Sequence, residues 1–179
     1  MEGVVLKILG AVFILLSSGG AGAWASWCFK RRLELLERLR QMIYFLKGEI
    51  TYSHAPLKEA LERAGRRGKG SLGNLFLAVS SEIGRGQGES FGEIWEKEME
   101  KLCSGPEGRL LKSQDIRELY RLGEHLGYLD VDMQEKMLCL YLEELDFSIG
   151  QLRGCKQERC RLYGSLGILG GLFLVIAMC

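Results

Sequence analysis

The stretch Gly65-Arg66-Arg67-Gly68-Lys69-Gly70-Ser71 comes nearest, by residue type, to a catalytic loop. A phosphate loop needs a first glycine separated by four residues from a Gly-Lys pair, with Ser or Thr next, so that backbone amides cradle phosphate and the hydroxyl reaches magnesium. Here Arg63 occupies the first glycine position and Gly70 the hydroxyl position, so the loop cannot do that chemistry. Gly84, Gly86 and Gly88 have two-residue spacing and follow a helical pattern, which rules out a dinucleotide fingerprint and leaves a flexible loop. Arg66, Arg67 and Lys69 form a small basic cluster that reads as solvated or lipid-facing, so nucleic acid is not an expected partner.

Six cysteines raise the question of a metal or disulfide framework. Cys155 and Cys160 are five residues apart, about 140° around a helix, and cannot share one zinc from one face. Cys28 and Cys179 lie in or beside apolar ends, and Cys103 and Cys139 have neighbours such as Leu102, Leu138 and Leu140, the setting of buried reduced thiols. His54 stands beside a helix start and His125 one turn after Arg121, and neither has a paired nucleophile. No catalytic residue, metal site or cofactor is expected, and the chain does not read as an enzyme.

The elements around these residues explain the missing chemistry. Hydrophobic residues make up 47% of the 179, an ordinary share, but all of the 24 basic residues except Lys7 and all of the 23 acidic residues except Glu2 lie between Lys30 and Arg161. Residues 4–29 provide the roughly 20 apolar residues that cross a bilayer, with Trp24 and Trp27 at one end followed by Lys30, Arg31 and Arg32. Ala21-Gly22-Ala23 resembles a signal-peptide cleavage site, but the basic run behind it opposes translocation, and an uncleaved span is expected. Residues 163–179 form a second span at the lower length limit, preceded by Arg153, Lys156, Arg159 and Arg161. Both basic flanks face the middle of the chain, which places residues 30–162 in the cytoplasm. Gly167 and Gly171 form a G-x-x-x-G pair, and Ser18, Gly22 and Ser26 repeat at four-residue spacing, patterns suited to membrane helix packing.

The fold class expected is all-α: an antiparallel bundle of about six helices whose first and last members extend into transmembrane helices. Leu36, Leu39, Ile43, Leu46 and Ile50 alternate at three and four residues, marking one helix that leaves the membrane. Pro56 opens a second helix, residues 57–64, with Ser53 or His54 to cap it. The glycine-rich loop 65–70 leads to a short apolar helix around residues 74–83. Ser90 with Glu93 is a capping box for a helix closed by Gly105-Pro106. Residues 113–126 form a fifth helix stopped by Gly127, and Asp132 with Glu135 is a second capping box for a last helix running past Arg161.

Two motifs carry a resemblance. Glu49-Ile50-Thr51-Tyr52-Ser53-His54-Ala55-Pro56-Leu57-Lys58-Glu59-Ala60, and then Leu122-Gly123-Glu124-His125-Leu126-Gly127 with Asp130 and Gln134, resemble the stage III sporulation protein AB family. The layout of two membrane segments around a helical domain is similar along the whole chain. The resemblance implies a membrane component of the channel complex between mother cell and forespore, on the mother-cell side. Its cytoplasmic domain is similar to that of the platform protein of type II secretion and type IV pilus systems. It further implies docking of an ATPase-like subunit, stage III sporulation protein AA. The partners expected are thus other channel proteins and the lipid membrane, with a second copy of the chain admitted. The matching positions Tyr52, Pro56, Leu57, Gly123, Leu126, Gly127, Asp130 and Gln134 are the candidate interface residues, although each also has a structural task available. A membrane-anchored regulatory or sensor domain is the second reading.

Overall fold

Apolar residues recur at helical spacing along nearly every segment, and among the described residues the chain forms six α-helices, one 3-10 turn and no strand. The computed structural model describes the backbone of residues 2–86, 88–127 and 130–178, and the side chains of residues 20, 24–86, 88–127 and 130–154. The helices are α1 (Glu2–Thr51), α2 (Leu57–Arg67), α3 (Ser71–Arg85), α4 (Phe91–Ser104), α5 (Ser113–Leu126) and α6 (Val131–Met178), with the 3-10 turn at Gly108–Leu110. They divide into two compact units, Glu34–Ile149 and Met1–Leu33 with Gly150–Cys179.

The first unit is built on the stripe read from α1. Leu36, Leu39, Ile43, Leu46 and Ile50 are each no more than 2% exposed. At about 1.5–3 kcal/mol for each fully buried aliphatic side chain, this stripe is a large part of the domain's driving force. Neighbouring helices run antiparallel. Lys47 pairs with Glu135 at 3.5 Å and Arg40 with Asp146, so α1 and α6 run in opposite directions. Ser80 Oγ donates to the Lys58 carbonyl at 2.9 Å, while Gly65 lies against Gly73 and Leu77, which sets α2 against α3 in the same way.

The chain turns from α1 into α2 through His54, whose φ of +47° is left-handed. Neither Ser53 nor His54 caps α2. Pro56 takes the N-cap position with no side-chain hydrogen bond, and its fixed φ suits the site. The basic glycine stretch also departs from expectation. α2 continues to Arg67, Gly65 is buried inside it, and only residues 68–70 remain as a link to α3. The glycines permit close approach: a Cβ at Gly73 would lie 2.5 Å from the Gly68 carbonyl oxygen, and one at Gly68 would overlap Met42 of α1. Gly70 has φ +79°, and Glu107 Oε2 accepts from the Ser71 amide at 2.7 Å, closing the start of α3 with a carboxylate from another segment.

The capping box of α4 is formed, with the Ser90 amide donating to Glu93 Oε2 at 2.7 Å and the Glu93 amide to Ser90 Oγ at 3.3 Å. α5 has the expected bounds. The second capping box is not formed: α6 starts at Val131, and Asp130 Oδ1 accepts from the Met133 amide at 2.8 Å. A carboxylate one residue before the helix reaches that third amide, whereas Asp132 already lies inside the first turn.

In the other unit, Trp24 and Trp27 are 69% and 51% exposed, and the Arg31 guanidinium lies over the Trp27 ring at 5.6 Å. Among the described residues no helix is long and apolar enough to cross a membrane. Most side chains of the expected spans 4–29 and 163–179 lie outside the described residues, as do Gly167, Gly171, Cys155, Cys160 and the Ala21-Gly22-Ala23 site.

Candidate functional site

The second motif is gathered at one junction of three helices. Gly123 and Gly127 are four apart and share a face of α5, and α4 lays two aromatic rings on that face. A Cβ at Gly123 would overlap the Trp95 ring, and one at Gly127 would lie 2.6 Å from Phe91 Cβ. Trp95 Nε1 donates to the Leu119 carbonyl at 2.9 Å in a buried setting, so the ring is held by both shape and a polar bond. Phe91 stacks on Trp95 at 5.9 Å, and Phe76 of α3 meets it edge-on at 5.7 Å. Gly127 does end α5, but in a right-handed conformation, φ −79° and ψ −20°. Glycine is therefore required there for the approach of Phe91 and not for a left-handed turn.

The remaining motif residues tie α5 to α6. Leu126 is 1% exposed, Gln134 Nε2 donates to the Leu126 carbonyl at 2.8 Å, and Asp130 caps α6 as described. The first motif lies elsewhere, at the turn between α1 and α2. Tyr52 is 82% exposed, Pro56 is exposed, and Leu57 is only half-buried, so Leu57 is not part of the core as its type suggests. No hydrogen bond or ion pair among the described residues joins the two motifs.

Sequence reasoning missed a surface on α6. Met133, Met137, Leu140, Glu144 and Phe147 follow a four-three-four-three spacing, and Met133, Leu140 and Phe147 are 49%, 55% and 68% exposed. This is the seam pattern of helix-on-helix packing, with one carboxylate among apolar positions. The spacing is legible in the chain. It is masked because α6 carries a second stripe, Leu138, Tyr141, Leu142, Leu145 and Ile149, which the bundle buries.

Beside the seam, α5 and α6 enclose a cavity of about 150 Å³ whose polar lining includes Asp115, Glu118, Tyr141 and Glu144. Burial, followed by the hydrogen bond and charge of Glu118, pushes the Glu144 carboxyl above the usual carboxylate range, with Arg121 acting in the opposite sense. Arg121 Nη1 lies 3.1 Å from Glu118 Oε2. Burial, and then the nearby carboxylates, pushes the Tyr141 phenol well above its ordinary value. The cluster can hold a proton or face a cation, and it contains no nucleophile paired with a base. Cys103 and Cys139 are half-buried free thiols, and burial raises the Cys103 thiol. Among the described residues no three His, Cys, Asp or Glu side chains are grouped to hold a metal.

The family profile of stage III sporulation protein AB matches residues 7–179. The chain belongs to that family. Its similarity to stage III sporulation protein AB of Bacillus subtilis (strain 168) is 29% identity over 174 residues, 97% of this chain and 99% of the relative. A solved structure of stage III sporulation protein AB superposes with a TM-score of 0.61 at 26% identity, covering 72% of this chain and 98% of the other. The all-α fold is thus shared with a member of the sporulation family to which the motifs pointed.

Gly123→Ala should expel the Trp95 ring and destabilise the chain by about 2–4 kcal/mol, the sum of overpacking and a lost buried hydrogen bond. Trp95→Leu should recover part of that loss in the Gly123→Ala background, as read by thermal unfolding. For Glu144, a folded pKa above the unfolded value means that the native state keeps a proton the unfolded chain has released. Stability from this group then falls as pH rises from the ordinary carboxylate range through the raised value. Glu144→Gln should therefore unfold at higher urea than the native sequence at neutral pH, with the difference vanishing as pH drops below the ordinary carboxylate range.

Proposed function

We propose that this chain is a non-enzymatic platform in the membrane complex built during endospore formation, docking a cytoplasmic ATPase-like subunit while supplying no hydrolysis itself. The observation that carries this reading is family membership along residues 7–179. In this reading residues 4–29 and 163–179 are membrane helices, packed in part through Gly167 and Gly171, and residues 30–162 are the cytoplasmic domain on the mother-cell side. The apolar ends with inward basic flanks support it, as do the exposed Trp24 and Trp27, the latter beneath the Arg31 guanidinium, a pairing suited to a membrane interface.

The α6 seam is the docking face that best fits such a role. Exposed apolar residues at seam spacing favour a partner helix, and Met133, Leu140 and Phe147 lie outside the stripe of α6 that the bundle buries. Tyr52, Pro56 and Leu57 are a second, smaller contact area, since Tyr52 projects at a turn that needs no such aromatic for packing. Gly123, Leu126, Gly127, Asp130 and Gln134 act indirectly, by setting α5 against α4 and α6. A ligand-sensing domain is less well supported: the α5–α6 cavity of about 150 Å³ is smaller than the ~300–1,000 Å³ of usual ligand pockets, and the larger hollow of about 640 Å³ is open surface lined by α6 residues alone, from Asp132 to Glu143.

The double variant Leu140→Arg with Phe147→Arg should retain native unfolding within about 0.5 kcal/mol, as surface changes do. It should no longer capture the ATPase-like subunit from sporulating cells. Capture at the native level would remove the seam as the docking face. Failure of the native chain itself to bring down any channel component would remove the platform reading.

A further inference from the structure

The basic glycine stretch, which has no phosphate-loop chemistry, forms one wall of a surface pocket between α1 and α2. The pocket is about 220 Å³ and is lined by three cations, Arg38, Arg67 and Lys69, with Gln41, Met42 and Phe45, and by no carboxylate. The Arg67 guanidinium carbon lies over the Phe45 ring, 4.3 Å from its centre, so an aromatic face holds this side chain in place. Among the described residues neither Arg67 nor Lys69 has an ion-pair partner or a hydrogen-bond acceptor for its side chain, and both are exposed. The adjacent Arg66 differs, being paired with Glu62 at 2.7 Å. Arg38 sits deeper, with Glu34 at 3.8 Å and Glu107 at 3.7 Å.

We infer that this pocket binds an acidic segment of a partner protein, with one carboxylate between Arg67 and Lys69 and apolar contact on Phe45. Arg67 and Lys69, two cations at one opening without a carboxylate of their own, call for an anion, and a pre-positioned guanidinium loses little freedom in binding one. A phosphate group fits less well. Phosphate sites draw on backbone amides at a helix start, and the nearest such amide, that of Ser71 in α3, is already taken by the Glu107 carboxylate at 2.7 Å. That built-in carboxylate repels a dianion more than a single carboxylate. What remains free is a set of side-chain donors on an open surface, which suits an acidic peptide. This assignment is independent of the α6 seam, since its residues come from α1, α2 and the link to α3.

The test is titration of the purified full-length chain with a fluorescent oligoglutamate peptide at fixed ionic strength. Arg67→Ala with Lys69→Ala should weaken binding by about tenfold, the scale of two lost charge-assisted contacts. Arg109→Ala with Arg117→Ala removes the same net charge from exposed positions elsewhere and should leave the affinity unchanged. Lys69→Glu, at an exposed site with no structural partner, should weaken binding while leaving the unfolding curve as it was. Equal loss in the two double variants would mean that only net charge matters and would overturn the assignment. Displacement of the peptide by inorganic phosphate, or by vesicles containing an anionic lipid, well below the concentration at which acetate displaces it, would also overturn it in favour of a phosphate-bearing ligand.

Discussion

The packing of the domain turns on the place where Trp95 of α4 lies against Gly123 of α5. The indole needs a residue without Cβ beneath it, and its N–H needs the Leu119 carbonyl one turn earlier on the same helix. With both satisfied, Phe91 falls over Gly127 and Phe76 reaches Trp95 from α3, so three helices are positioned by one ring. α6 is then set by the end of α5, through Gln134 on the Leu126 carbonyl and the Asp130 cap. Interiors this closely packed resist even one added methyl group, which gives the glycines of this motif a physical reason to be glycine.

Much of this was legible in the chain, for reasons tied to particular residues. The α1 stripe was readable because each of its members is buried, and the Ser90 box because its partners are three residues apart and need nothing else. The start of α6 was misread because two carboxylates, Asp130 and Asp132, compete for one cap and only backbone direction decides between them. Gly65 was read as a loop residue because glycine is a poor helix former, yet here the close approach of α3 outweighs propensity. The pairing of Gly123 with Trp95 joins residues 28 positions apart and leaves no local trace. The α6 seam was hidden by the buried stripe on the same helix.

The division of labour that emerges separates structure from contact. The second motif, from Gly123 to Gln134, holds helices together, while two of the surfaces proposed for partners, the α6 seam and the Arg67–Lys69 pocket, lie outside both motifs. The proposed platform role fits this arrangement, because it needs a rigid body that presents more than one docking face.

The platform reading requires the helical domain to face the compartment that holds the ATPase-like subunit, and the most direct test is side-specific thiol labelling in intact cells. Ser53→Cys, at an exposed turn, would be introduced into a chain whose native cysteines have been replaced, and treated with a membrane-impermeant reagent. The account predicts no labelling until the membrane is opened, followed by ready reaction. Labelling in intact cells would put the domain outside, leave a cytoplasmic ATPase-like subunit out of reach, and contradict the platform reading.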